Sequence, residues 1–432
     1  MYLTIAHKNK RPEHVMPGTS KAQRLAAAAL RLVLLISMLA PTASHLWAQG
    51  KYRNDFQYYW QTINDNFAYF DRQQCNWSKV KDIYGPAVDT TRDLQDFVRL
   101  LERINHELHN GHVFLNTNTT VSNRMIPSGA DMKVERSNNQ YIIVALREGF
   151  NAAVCGLKPG MVITRFNGQP IDLTVQPFLP QSVAARDDDM YAYAANMLLA
   201  GTHDQPRVIE VNNKGRIQQF RPDSLPNKTE QPARDLLEAR ILPGNTGYIK
   251  INNALGNSDL IAAFDRALDT LLNTNGLVLD LRETPGGGNT TVARAIMGRF
   301  ITREQAYQKH VYTAEEKETG IRRATLELVA PRGKVYGRPV VVLAGYWTGS
   351  MGEGIVIGFD AMQRGKIMGT KMAGLLGEIF TFRTPEYKIP FSFPCVKLQH
   401  INGQPREDFV PPYPIPEGIT PVAAAAALVQ QK

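Results

Sequence analysis

Apolar positions recur at helical spacing through residues 50–120. Phe56, Tyr59, Trp60, Ile63 and Phe67 fall on one helical face, and Leu94, Phe97, Leu101, Ile104 and Leu108 on another. Thr90 and Asp93 form a capping-box pattern before Leu94, and Asn110-Gly111 marks the stop of that second helix. From about residue 125 to 220 the pattern changes to short strands and turns, with an apolar run at 141–146, a helix at 191–199 and a last strand at 207–211. Residues 227–234 are polar and Pro-containing, a linker in appearance. Strand and helix then alternate through 248–251, 258–272, 277–281, 290–296, 340–343, 351–362 and 367–370. Such alternation predicts a mainly parallel sheet. An alanine-rich helix at 421–429 would pack on that core. The chain therefore reads as α/β and multidomain: helical at 50–120, strand-rich at 125–222, and an α/β core at 235–432.

Two stretches of the core break pattern where a parallel sheet collects ligands, at the carboxyl ends of its strands. In the first, a β-branched run at 340–343 breaks at Gly345 and reaches Gly349-Ser350-Met351-Gly352-Glu353 before the helical positions Ile355, Phe359 and Met362. Ser350 thus stands at a helix amino terminus, where free N–H groups suit a developing oxyanion. A plain helix cap accounts for the same residues. In the second, a buried strand ends in Asp280-Leu281-Arg282 and runs into Pro285-Gly286-Gly287-Gly288. These glycines lack the Lys-Ser/Thr of a P-loop and the spacing of a dinucleotide fingerprint. Oxyanion stabilisation requires a nucleophile nearby, and Ser350 follows another strand of the same sheet.

Composition narrows the remaining choices. Of the formal +9 charge, residues 1–49 supply six cations (Lys8, Lys10, Arg11, Lys21, Arg24, Arg31) against Glu13 alone, and the rest lacks basic runs, which argues against nucleic acid. Lys21, Arg24 and Arg31 precede an apolar run at 32–40 and the small-residue site Leu46-Trp47-Ala48, so residues 1–48 read as a signal peptide, with Met16 an alternative start. That run is shorter than the roughly 20 residues of a membrane span. An exported periplasmic or extracellular protein is expected. Cys75, Cys155 and Cys395 allow one disulfide or three buried thiols. His106, His109 and His112 do not fit a zincin, because Asn110 stands four after His106 and Gly111 ends the helix; no metal site and no cofactor are expected. His106 and His109 read as surface residues at a helix end, and His112 opens the strand-like Val113-Phe114-Leu115.

Taken in order, these segments resemble the C-terminal processing (tail-specific) serine peptidases and their tricorn-like relatives. Leu108-His109-Asn110-Gly111-His112 resembles the family's L-x-D-G-H, with Asn110 for Asp. Residues 149–171, including Gly156-Leu157-Lys158-Pro159-Gly160-Met161 and Asn167-Gly168, resemble a PDZ domain of the protease-associated type, with Met161 where Asp is usual. Such a domain takes an extended peptide as an added strand; a purely structural insert is the alternative. Gly247-Tyr248-Ile249, Leu279-Asp280-Leu281-Arg282, Thr348-Gly349-Ser350-Met351-Gly352-Glu353 and Arg364–Gly369 complete the match. The resemblance implies a helical cap, a PDZ-like domain and a ClpP/crotonase-like core. It makes Ser350 the nucleophile and the N–H groups of Met351 and of Gly286 or Gly287 the oxyanion hole. One branch takes its base from a lysine about 25 residues after the serine, but here that position is Leu375; Lys371, four residues earlier, is the alternative base. The tricorn-like branch uses a histidine oriented by a carboxylate, and His112 and Glu407 match those positions, with Asp408 in reserve. The expected function is an exported serine endopeptidase acting through an acyl-enzyme on extended or C-terminal segments of peptides and unfolded proteins. The alternative is an inactive relative that binds peptide or an apolar ligand.

Overall fold

A computed structural model describes residues 21, 49–224 and 235–431. Apart from Lys21, residues 1–48, read above as a signal peptide, lie outside the described residues, as do residues 227–234, read above as a linker. The chain divides into two units, Met1–Lys51 and Tyr52–Lys432, and every element below belongs to the second.

The core is a five-stranded sheet in the spatial order Lys366–Gly369, Val340–Ala344, Gly276–Asp280, Thr246–Ile251, Leu237–Leu242. The first four run parallel and the fifth is antiparallel at the edge. Val340–Ala344 and Gly276–Asp280 are buried along their whole length, which explains their unbroken apolar runs. Helices Asp259–Thr270, Thr290–Met297 and Met351–Ala361 pack against one side through Leu260, Phe264, Leu268, Ile296, Ile355 and Phe359. Helix Pro421–Gln430 packs with Tyr248, Val278, Val341 and Leu343 through Ala425 and Leu428. Covering both faces leaves the carboxyl ends of the two central strands open, and there the turns after Asp280 and Ala344 run side by side. They are joined by a bridge between Thr284 and Thr348 and by the Gly349 N–H donating to the Thr284 carbonyl at 3.2 Å.

A second sheet, wholly antiparallel, is built from Phe114–Leu115, Pro390–Gln399, Gln305–Val311 and Ala324–Val329, with Glu378–Arg383 also paired to Pro390–Gln399. The sequence reading did not anticipate these long strands of residues 300–400. Pro390 and Pro394 mask the strand character of the central one, and Ala324–Val329 is mostly exposed or half-buried. The aromatic face of the helix at 52–66 closes on this sheet, with the Tyr59 and Phe391 ring centroids 4.9 Å apart.

The third sheet orders Met132–Ser137, Gln140–Leu146, Val162–Phe166, Ile209–Asn213 and Arg216–Phe220 antiparallel. Helix Asp188–Ala200, capped by Asp187, lies on Met132–Ser137, and the Asn196 amide bonds both the N–H and the carbonyl of Val134. Met161 joins the apolar core here.

Three readings need correction, and of the two readings of the cysteines the one without a disulfide holds. Thr90 ends the helix Val80–Asp89, so Asp93 alone caps Leu94–Asn105 by accepting from the Asp96 N–H. The last strand begins at Ile209 rather than 207, because Arg207 turns inward to Asp131 and Asp223. His106 is buried, bonded to the Tyr193 hydroxyl at 3.1 Å and packed on Phe178, so it is not a surface cation. The three cysteines are free thiols.

Candidate active site

Ser350 sits where strand Val340–Ala344 passes into helix Met351–Ala361, with φ +52° and ψ −112°. A serine pays strain for that conformation, and such strain gathers at functional turns. The residue is held there from behind: its N–H donates to Glu353 Oε2 at 2.8 Å. Against it lies the glycine turn. A Cβ on Gly287, whose φ is +64°, would stand 2.5 Å from Ser350 Cβ and 2.8 Å from Ser350 Oγ, so only glycine fits. The same position lies 3.4 Å from the Met351 nitrogen, the first helical N–H, which has no acceptor within its own helix. The Gly286 N–H is engaged by Asn253 Oδ1 at 2.7 Å, and the Gly287 N–H makes a longer turn bond of 3.3 Å to the Thr284 carbonyl.

His112 is buried, and its Nδ1 lies 2.6 Å from the Leu376 carbonyl. A carbonyl only accepts, so Nδ1 carries the proton and Nε2 is left as a lone-pair acceptor. Burial first, and then the positive charge of Arg406, pull the imidazole down to about 4, so it is neutral at pH 7. Its loop is fixed by Asn110, whose Oδ1 accepts from the His112 N–H at 3.0 Å and the Leu376 N–H at 3.2 Å, while Nδ2 donates to the Gly374 carbonyl at 3.1 Å. The departure from Asp at this position is used: an amide supplies a donor that a carboxylate lacks.

Loop 374–376 joins the two halves. On the serine side, Glu353 Oε1 accepts from the N–H groups of Gly374 and Leu375 at 3.0 and 3.3 Å. Burial pushes the Glu353 carboxyl up to about 7, against the pull of Arg406 and of its backbone donors. Arg406, itself buried, lies 3.8 Å from Glu353 Oε2 and donates to the carbonyls of Leu375 and Gly377. The Leu375 side chain fills the gap between the residues preceding His112 and Ser350. A methyl on Gly111 would meet its Cδ2 at 2.9 Å, and one on Gly349 its Cδ1 at 3.2 Å.

The structure thus brings Ser350, Gly287 and Met351 into contact range and ties His112 to the same assembly through Leu376. It does not join Glu407 to His112: Glu407 Oε1 pairs with Arg72 at 2.7 Å, its Oε2 is buried without a partner, and Arg72 also holds Asp408. Burial raises the Glu407 carboxyl above its usual range. Lys371 is exposed on the wall of a cleft of about 580 Å³ that also meets Gly111, Trp347, Leu375 and Glu407. Arg406 and the Leu376 carbonyl went unnoticed in the sequence. A backbone carbonyl has no sequence signal, and Arg406 was legible only as a neighbour of Glu407. Among the described residues no group of His, Cys, Asp and Glu is arranged to hold a metal, and no helix is long and apolar enough to cross a membrane.

The chain is similar to known proteases in sequence and in fold. Residues 245–388 match the profile of Peptidase family S41, and residues 49–105 match the Tricorn protease C1 domain. Tricorn protease homolog 1 of Streptomyces coelicolor is 23% identical over 349 residues, 75% of this chain; the chain spans only 29% of that relative's length. The photosystem II D1 C-terminal processing protease superposes with a TM-score of 0.56 at 15% identity, over 88% of this chain and 98% of that one. Mature CPAF gives 0.58 at 12% identity, over 85% and 93%. Residues 245–388 therefore carry the profile of Peptidase family S41 and residues 49–105 that of the Tricorn protease C1 domain, on a fold shared with C-terminal processing proteases.

Proposed function

We propose that the mature chain is an exported endopeptidase that cleaves extended segments of peptides and unfolded proteins through an acyl-enzyme on Ser350. The observation that carries this reading is the placement of Gly111 and Gly349, the residues before His112 and Ser350, on either side of one Leu375 side chain. In this mechanism His112 Nε2 takes the Ser350 hydroxyl proton as Oγ attacks the substrate carbonyl. Met351 N–H and the glycine turn then receive the oxyanion. The imidazolium returns its proton to the leaving amine, and water repeats the sequence on the ester. The Leu376 carbonyl holds the tautomer that the triad logic assigns to a carboxylate. The strand-rich segment 125–222 acts as a PDZ-like domain that feeds peptide into the cleft, and residues 1–48 direct export.

The test is labelling of the mature protein with a fluorophosphonate, beside Ser350→Ala and His112→Ala. Wild type alone should be labelled efficiently and should cleave an unfolded substrate. Labelling that survives Ser350→Ala would assign the nucleophile elsewhere, and an unlabelled, inactive wild type would remove the peptidase reading.

A further inference from the structure

The glycine turn that faces Ser350 has little stiffness of its own. Pro285 is followed by three glycines, and glycine samples more backbone conformations than any other residue. A developing oxyanion is stabilised by donors already in place, so a turn of this composition needs support from outside. That support comes from residues 253–255, just past the carboxyl end of the neighbouring strand Thr246–Ile251. The Asn253 N–H donates to the Glu283 carbonyl at 2.6 Å, and the Asn289 N–H donates to the Leu255 carbonyl at 3.2 Å. Between these two bonds a side chain on Gly288 would collide with Leu255, so the segments touch without a gap. The Asn253 side chain supplies the third tie, its Oδ1 accepting from the Gly286 N–H at 2.7 Å. Asn253 holds a φ of +53° there, a left-handed conformation that asparagine tolerates better than most side chains. The proton transfers above do not involve this residue.

We infer that Asn253 is a positioning residue for the oxyanion hole: by engaging the Gly286 N–H it selects the Gly287 N–H as the donor that joins Met351. This rests on the acyl-enzyme reading of Ser350 and adds to it the choice between two glycines. Gly286 is exposed and its donor is already spent, whereas Gly287 is buried against Ser350. The Gly287 N–H is bonded at 3.3 Å to the Thr284 carbonyl, against 2.7 Å for Gly286 to Asn253. The longer bond yields to an oxyanion at smaller cost than the shorter one. Asn253 also fixes the plane of the Pro285–Gly286 peptide, on which the direction of the next N–H depends. With Oδ1 removed, that peptide rotates more freely and the Gly287 donor is in place for only part of the time.

The experiment compares the second-order rates of fluorophosphonate labelling of full-length mature wild type, Asn253→Gly and Asn253→Asp. Glycine accepts the left-handed φ but has no side-chain acceptor, whereas aspartate keeps both the conformation and the acceptor. Asn253→Gly should label about tenfold more slowly than wild type, short of the roughly 100- to 1,000-fold lost with an entire oxyanion donor. With an unfolded protein as substrate the loss should fall in kcat, with KM unchanged within about twofold. Asn253→Asp should restore labelling to within about twofold of wild type. Asn253→Gly labelled at the wild-type rate overturns the inference, and so does Asn253→Asp labelled as slowly as Asn253→Gly. If Asn253→Gly does not fold, by circular dichroism, hydrogen exchange on wild type with isotope-labelled glycine decides. The Gly286 amide should then exchange more slowly than that of Gly288, which has no acceptor among the described residues, and equal exchange overturns the inference. Wild type that fluorophosphonate does not label removes the peptidase reading and this inference with it, whereas labelled wild type with an unaffected Asn253→Gly removes this inference alone.

Discussion

Replacing Gly287 with alanine tests the contact between the glycine turn and the nucleophile. The added Cβ would stand 2.5 Å from Ser350 Cβ and 2.8 Å from its Oγ, where carbon contacts settle at about 3.5–4 Å. One of the two turns must therefore shift by about 1 Å. The left-handed φ of +64° adds about 1–2 kcal/mol of backbone cost for any side chain. A misplacement of about 1 Å between reacting groups typically costs on the order of 100-fold in rate, or about 2.7 kcal/mol of barrier. The second-order rate of fluorophosphonate labelling should fall by roughly that factor, while the thermal midpoint drops by only a few degrees. Gly286→Ala supplies the contrast. Its Cβ would meet the end of the flexible Asn253 side chain at 2.9 Å, and its φ is not positive, so the labelling rate should fall less than about tenfold. A folded Gly287→Ala protein labelled at the wild-type rate would refute the placement of this turn beside the reacting oxygen.

Further outcomes follow from the buried groups. His112, held down to about 4 against an ordinary 6.5, contributes stability that is present above pH 6.5 and lost as pH falls through 4. In urea titrations across that window His112→Gln should remove about 3 kcal/mol of pH dependence; an unchanged slope would mean that the ring is not buried as a neutral base. Glu353 has the opposite sign: raised to about 7 from 4.5, its contribution is full below pH 4.5 and is lost as pH rises through 7. Glu353→Gln, a neutral isostere of the protonated acid, should abolish that loss in the same assay, and a pH dependence that persists would refute the buried, raised carboxyl. Asn110→Ala strands the N–H groups of His112 and Leu376, at about 1–3 kcal/mol each, and should slow labelling of Ser350 together with the drop in urea midpoint. Asp131→Ala leaves the Arg207 guanidinium with Asp223 and the Leu199 carbonyl, and chemical denaturation should show a loss of about 3 kcal/mol with the labelling rate of the folded protein unchanged.

The sequence carried the parallel core and the two special turns clearly. A buried strand followed by Gly-Ser or Pro-Gly-Gly departs from periodicity at a point that physical rules mark as functional. Ser350, Gly287 and Met351 were legible for that reason. The antiparallel strands Pro390–Gln399 and Gln305–Val311 were not, since internal prolines and mixed burial hide the period of two. The orientation of His112 was not legible either. It depends on a carbonyl at Leu376, on an amide at Asn110 and on a guanidinium at Arg406, and only tertiary packing brings these together. Glu407 was recognised by position in a motif, whereas its actual partner, Arg72, lies 335 residues away in sequence and could not be paired with it by pattern.

The hydrogen bond from His112 to Leu376 spans 264 residues of chain, and Arg406 arrives later still. A polypeptide emerging amino terminus first therefore carries His112 long before the carbonyl that selects its tautomer or the helix that Ser350 opens has been made. If Ser350 and His112 act as proposed, hydrolysis would begin only once nearly the last elements are made, and a chain still being synthesised would pass its own unfolded neighbours without cutting them.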